Sequence, residues 1–541
     1  VALCLLLLGT SALSQTKHKK KKSGKPKAVP CRMGCITETA APDLTAESAE
    51  EEAIQRELSA FGRSLRNANP GAYEKLADFY KRNAGNVWGA RAALALGYDD
   101  YNKNHGVQAL AWFVKAKPDA LLNEYALFWT AQAERLVKRN ADALANLETI
   151  QREHPATALK EQILEVLGPA AIEAGKPRLA VEALEAYPPT SSKPPLLLER
   201  AQAYKAAGQT ARAAKDYQIL FYKYPLSDEA KAAGTALPLL IKSLGKEYPY
   251  PGVELQEQRA QGFFDARKWK EARSEFEKLQ GMLHEAANPH RQLAQLRIAE
   301  ARVQLKGPAS LVSSLALSDF EVDAERLFEL SQIYRSDKKE NEMLAAIEQT
   351  AQKYPSSKWA EEALMAAGNY YWVGLDRNKA AAYYQRVLDS FPSGKFALNC
   401  EWRVAWVAYL NHQVEADSKF TAYLRKYPVS SNAPNALYWL GRNAERGGNP
   451  AHARSYYRMA AERYPQTYFG QHSALRLEKL GPGEEDPPEF LAQIPPPPPL
   501  RPLDEPLAGT AADRWMRAQA LRSIAFDSAA ELELKAAYFA A

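Results

Sequence analysis

Four Tyr/Phe-Pro steps constrain this chain more than any other feature. They are Tyr354-Pro355, Phe391-Pro392, Tyr427-Pro428 and Tyr464-Pro465, and their prolines lie 37, 36 and 37 residues apart. Other positions keep the same period. Ala380, Ala416 and Ala453 align, as do Tyr384, Phe420 and Tyr457, and Gly368 aligns with Gly441 two periods on. A fixed period of this size marks a helical solenoid, close to the 34-residue tetratricopeptide unit. A chain of 541 residues is also too long for one compact core, which a repeat array resolves.

Each unit reads as a helical hairpin. The first helix carries apolar residues at helical spacing, as in "ALYWLGRNA" from Ala436 to Ala444. Gly447-Gly448-Asn449-Pro450 breaks it, and "AHARSYYRMAAERY" forms the second helix. Gly441 and Ala453 are expected where the two helices cross. Pro465 stops the second helix, because the residue before a proline is pushed out of the helical region. Thr467, Ser393 and Ser430 are then placed to cap the helices that follow. Each hairpin alone leaves an apolar face bare, and stacking buries it. "YQILFYKYPLSDEA" and "LETIQREHPATAL" are less regular joints of the same kind, and no alternating strand pattern persists. The expected fold is an all-α, tetratricopeptide-like helical-hairpin superhelix over residues 65–480.

The ends differ. Val1 to Leu8 is an unbroken apolar run, and Ala12-Leu13-Ser14 has the small-x-small form of a signal-peptidase site, so residues 1–14 are expected to be a cleaved export signal. The run is far short of the ~20 apolar residues that span a bilayer, and no transmembrane segment is expected in the mature chain. Cys4 follows Leu3 and lacks the small neighbour of a lipoprotein cysteine. Residues 15–64 read as a basic and polar, largely disordered tail. Lys17, Lys19, Lys20, Lys21, Lys22, Lys25 and Lys27 exceed by themselves the net charge of +6. The basic excess is therefore a solvated tail, which argues against a nucleic-acid partner. Cys31 and Cys35 could pair if exported, and Cys400 reads as a small core residue. Residues 481–508 form a proline-rich linker with Pro495 to Pro499 in polyproline II form, and residues 509–541 turn helical again.

Chemistry is sparse. His284 and His290 are six apart and lack the i,i+4 geometry of a helical zinc pair. There is no phosphate-binding glycine loop and no nucleophile elbow. Trp402, Trp406, Tyr438 and Trp439 suggest sugar stacking, but at helical spacing they belong to the repeat core. No catalytic, cofactor-binding or metal residue is assigned.

The joint "YPQTYFGQHSALRLEKLG", after "ALYWLGRNAERGGNPAHARSYYRMAAERYP", resembles the last repeat of the soluble lytic murein transglycosylases. "FYKYPLSDEA" and "GARAALALGYDDYNKNHGVQALAWFVKA" are similar to earlier repeats of that family, and residues 481–541 to its passage into a helical linker domain. The resemblance implies a periplasmic scaffold that positions peptidoglycan glycan strands, and cell-wall proteins, for a C-terminal lysozyme-like domain. In the family one glutamate of a Glu-Ser step, with a Gly-x-Met-Gln segment, serves as acid and then base. Neither motif occurs here as a unit. Glu47-Ser48 lies in an acidic stretch and receives no role. The resemblance thus implies a scaffold inactive by itself, with the native gene expected to continue past Ala541. The rival expectations are a non-enzymatic periplasmic tetratricopeptide-repeat adaptor and a cytoplasmic interaction scaffold.

Overall fold

A computed structural model describes residues 49–496, 498 and 507–540, all of them helical or connecting, with no strand among them. The export signal, the lysine cluster, Cys4, Cys31, Cys35 and Glu47-Ser48 lie outside the described residues. The chain falls into two compact units, one up to Glu57 and one from Leu58 onward, with helix Ala49–Arg66 running across the division. That helix starts inside the stretch expected to be a disordered tail, because "AIQRELSAFGRSLR" continues with apolar residues at helical spacing. The unit from Leu58 contains every described helix after Arg66.

The unit is an all-α tetratricopeptide-like superhelix of antiparallel hairpins. The regular ones are Lys358–Val373 with Arg377–Ser390, Ala397–Leu410 with Ala416–Lys426, and Ala433–Arg446 with Pro450–Arg463, followed by Tyr468–Leu480. The period seen in the sequence is the buried set. Tyr384, Phe420 and Tyr457 are fully enclosed, with Ala380, Ala416 and Ala453 beside them. Trp402 and Trp406 stack with centroids 6.1 Å apart and pack, with Trp439, on the core of these repeats, while Tyr438 packs on Tyr457. Cys400 is buried in the core with Leu364, Tyr371 and Tyr384, and desolvation pushes its thiol up to about 12, so it is an inert core residue.

The turn within each hairpin places one residue in the left-handed region. Gly208 and Gly448 hold it without strain, whereas Leu375 adopts φ 64 at a cost of roughly 1–2 kcal/mol. The joint between hairpins is a tight backbone turn. Thr467 N donates to Tyr464 O at 3.0 Å, as Ser357 N does to Tyr354 O. Thr467 Oγ1 accepts from Gly470 N at 3.1 Å and caps the next helix. The Tyr464 phenol donates to Pro428 O one repeat back, at 2.9 Å. The aromatic of this Tyr-Pro step thus ties neighbouring units together. Ser393 and Ser430 do not cap. Their helices begin later, at Ala397 and Ala433, with Phe396 and Asn432 at the N-cap positions. Pro434 fits the first turn of the second of these helices, and Ser430 Oγ instead accepts from the Tyr423 phenol at 3.0 Å.

Residues 481–496 are not a free linker. Phe490, Leu491 and Ile494 are buried against Tyr456, Leu424 and Ala460. Arg454 donates to the carbonyls of Leu480, Gly481 and Glu484, and Arg463 to that of Ile494. The last hairpins have an apolar flank, and these residues cover it.

Gly441 lies at a helix crossing. A Cβ there would sit 2.5 Å from Tyr457 Cε1, and the Tyr457 phenol is held by Glu445 at 2.9 Å, so the ring has little room to give. Gly441→Leu is expected to destabilise by about 1–3 kcal/mol through overpacking. Urea unfolding measures this directly, and an unchanged midpoint would remove the crossing from this position.

Candidate functional site

The chain's last two helices, Gly509–Ser523 and Asp527–Ala540, return to the first repeats. Between them Ala525 takes φ 61, turning Ile524 and Phe526 inward. The backbone of Ile524 approaches Gly62 so closely that a Cβ on Gly62 would lie 3.1 Å from it. Phe526 packs on Tyr98 with centroids 4.7 Å apart. This seam joins residues nearly the whole chain apart.

A buried ionic cluster fastens it. Glu533 is completely enclosed, and its two oxygens accept from the Tyr125 phenol at 2.8 Å and from Arg514 Nη1 at 3.0 Å. Arg514 also donates to Ala156 O. Arg517 donates to Leu121 O at 3.2 Å and lies 3.4 Å from Glu533 and 2.9 Å from Glu124, which is also enclosed. The Arg517–Glu124 contact is an ion pair without hydrogen-bond alignment, since both Glu124 oxygens lack a hydrogen-bond partner. Two carboxylates and two guanidiniums balance. Burial, and then the Glu533 carboxylate, push the Tyr125 phenol upward, so it remains a donor. Such a cluster adds little net stability over an apolar seam but makes the pairing specific, because an unpaired member would be costly.

Two clefts flank the seam and share Trp129 as a wall. One, of about 410 Å³, lies among Gly62, Tyr98, Trp129 and Phe526. The other, of about 520 Å³, lies among Phe128, Trp129, Arg135, Gln162, Glu165 and Lys535. Both volumes fall in the range of binding pockets. Three residues of the larger one, Trp129, Arg135 and Gln162, also carry a side-chain nitrogen or oxygen that is closed off from solvent and has no hydrogen-bond partner within the protein.

Elsewhere, Arg297 pairs with Glu300 at 2.9 Å and Glu325 at 2.5 Å. Burial pushes the Glu300 carboxyl upward against the attraction of Arg297, and the nearby Glu329 adds to the rise. Its charges pair with one another inside the solenoid, so this cluster is structural. Among the described residues no group of three or more potential ligands could hold a metal, and no helix is long and apolar enough to cross a membrane. His284 and His290 are exposed, and His290 Nδ1 pairs with Glu257 at 2.5 Å.

None of the seam residues was singled out by the sequence. The only trace was the i,i+3 pair Arg514 and Arg517 on the apolar helix Gly509–Ser523, together with Glu533 in "AAELELKAAYF".

The tetratricopeptide repeat family matches residues 196–227 and 435–467. No curated protein matches the sequence. Among solved structures, a tetratricopeptide repeat protein from Parabacteroides merdae is similar at 14% identity, over 46% of this chain and 99% of that one, with a TM-score of 0.30. Yeast Tom70 is similar at 12% identity, over 80% of this chain and 96% of that one, with a TM-score of 0.28.

Proposed function

We propose that the chain is a tetratricopeptide-repeat adaptor, a scaffold that holds protein partners. The observation that carries this is the fold of repeated hairpins itself, with an aromatic-lined cleft at its seam. Solenoids of this kind offer extended surface built from repeated helix faces. A photo-crosslinking amino acid at Gln132, on the rim of the cleft, tests it in extracts of the protein's own cells. Discrete protein adducts are expected there, and fewer with the same probe at Glu342 on an exposed helix far from the seam. Equal labelling at both positions, or none, would reject the adaptor.

A second reading rests on the resemblance of Tyr464 to Gly481 to the transglycosylase joint and on the helical hairpin that follows the proline-rich residues. In it the chain is exported to the periplasm and positions peptidoglycan glycan strands for a lysozyme-like domain. Purified chain should then co-sediment with peptidoglycan sacculi, and N-terminal sequencing of exported material should begin near Gln15. A chain that stays in the supernatant at every sacculus concentration would set this reading aside.

A further inference from the structure

A third cleft opens at the seam, and its charges do not balance. It encloses about 440 Å³ among Arg63, Arg66, Asn67, Arg522, Ala525 and Asp527. Arg66 pairs with Asp527. Arg63 and Arg522 line the same cleft, and among the described residues their side chains form no ion pair or hydrogen bond. Both are exposed, so a ligand reaches them directly. Each arginine stands in the last turn of its helix, Ala49–Arg66 or Gly509–Ser523, where the helix end favours a cation. That accounts for a basic residue on each helix, but not for the seam setting them against one another. The buried cluster around Glu533 matches two guanidiniums with two carboxylates, whereas here three guanidiniums meet one. Two like charges remain, and closing the seam brings them together.

The aromatic cleft of about 410 Å³ adjoins this one, since Arg66, Ala525 and Asp527 line both. Its walls include Leu65, Tyr98, Trp129 and Phe526, and its one further charge, Asp99, pairs with Lys103 at 2.7 Å. Tyr98 and Trp129 are only half-buried there, with ring centroids 4.6 Å apart. An inorganic anion would meet the arginines and leave the aromatic walls bare. A basic segment would add to the repulsion. A nucleic acid needs a basic track along its backbone, and beyond the arginines the lining turns apolar. An acidic residue beside an apolar one suits both clefts at once.

We propose that the arginine cleft and the aromatic cleft together receive an acidic segment of a partner protein, a Glu or Asp carboxylate meeting Arg63 and Arg522 and the neighbouring apolar side chain packing on Tyr98, Trp129 and Phe526. This rests on the adaptor reading and names the chemistry of its partner. Arg63 and Arg66 come from the start of the solenoid and Arg522 from the returning hairpin, so the site is complete only while the seam is closed. The same partner therefore favours the closed seam, by linkage.

The test uses the full chain and an N-acetylated, amidated pentapeptide, Ala-Phe-Glu-Glu-Ala, read by calorimetry. Replacing both Glu by Lys, or Phe by Ala, should weaken saturable binding by about tenfold or more. Asp527→Asn removes the one acid of the arginine cleft and should tighten binding about threefold. The double variant Arg63→Glu with Arg522→Glu should prefer the Lys peptide, a reversal that misfolding cannot mimic. Failure to bind, indifference to either replacement, or a double variant that keeps its preference for Glu would overturn the proposal. Tighter binding of a short oligothymidylate, or displacement of the peptide by equimolar inorganic phosphate, would also overturn it. In cell extracts the crosslinking amino acid, moved to Asn67 in the arginine cleft, should give protein adducts that the acidic peptide displaces. Adducts at Gln132 with none at Asn67, or with Asn67 adducts that resist the peptide, would overturn this proposal and leave the adaptor standing. Absence of adducts at Gln132 would remove both.

Discussion

Arg514→Met is expected to open the seam at a cost of about 3–5 kcal/mol, the range for removing one partner of a buried ion pair. Glu533 is wholly enclosed, and Arg514 supplies its closest cation, at 3.0 Å. Arg517 is farther, at 3.4 Å, and already shared with Glu124. In the variant Glu533 must protonate, find water or leave its site, and leaving means detaching helix Asp527–Ala540 from Tyr125. Hydrogen exchange should show faster opening in residues 509–540 and around Tyr125, with little change in hairpin Ala433–Arg446 and Pro450–Arg463. The double variant Arg514→Met with Glu533→Leu should recover most of the loss, because the uncompensated charge is gone. A single variant with unchanged protection at the seam would show that this cluster does not hold the ends.

Arg297→Met should produce a deficit of similar size, about 3–5 kcal/mol, but one that depends on pH. Arg297 is the cation that Glu300 and Glu325 face, and Glu300 is almost fully buried. Burial already holds the Glu300 carboxyl above its ordinary range. A carboxyl raised in the folded state has its stabilising contribution intact below the unfolded value, about 4.3, and loses it as pH rises through the folded value. Removing Arg297 raises the folded value further, so the loss becomes larger and extends higher. The deficit against the parent should be smallest near about pH 4–5 and largest above neutrality. Urea unfolding at the two ends of that window measures it. Equal deficits at both would mean that the titration of Glu300 is not involved.

Much of the fold was legible because its determinants are local. A Tyr-Pro step, a capping Thr467 and a glycine opposite Tyr457 act within one repeat or between neighbours, about 36 residues apart, so they leave a period in the sequence. The caps at Ser393 and Ser430 were misplaced because the joint can lengthen by a few residues without disturbing that period. Phe490, Leu491 and Ile494 were read as linker because the prolines around them hide a short apolar cluster that needs the flank of the last hairpins to be buried.

The sequence by itself determined the helical hairpin, its repeat and the residues that fill its core, since each is an interaction between near neighbours recurring down the chain. Only the tertiary structure decided that Tyr125 meets Glu533, 408 residues away, and that Trp129, Gln162 and Lys535 line one cleft. That meeting depends on the small rotation between successive hairpins summed over the whole stack, which no single repeat encodes. Burial decided the rest. In the sequence Glu124, Arg517 and Glu533 look like any charges on a solvated helix face, and they become a fastening only because the returning hairpin shuts water out.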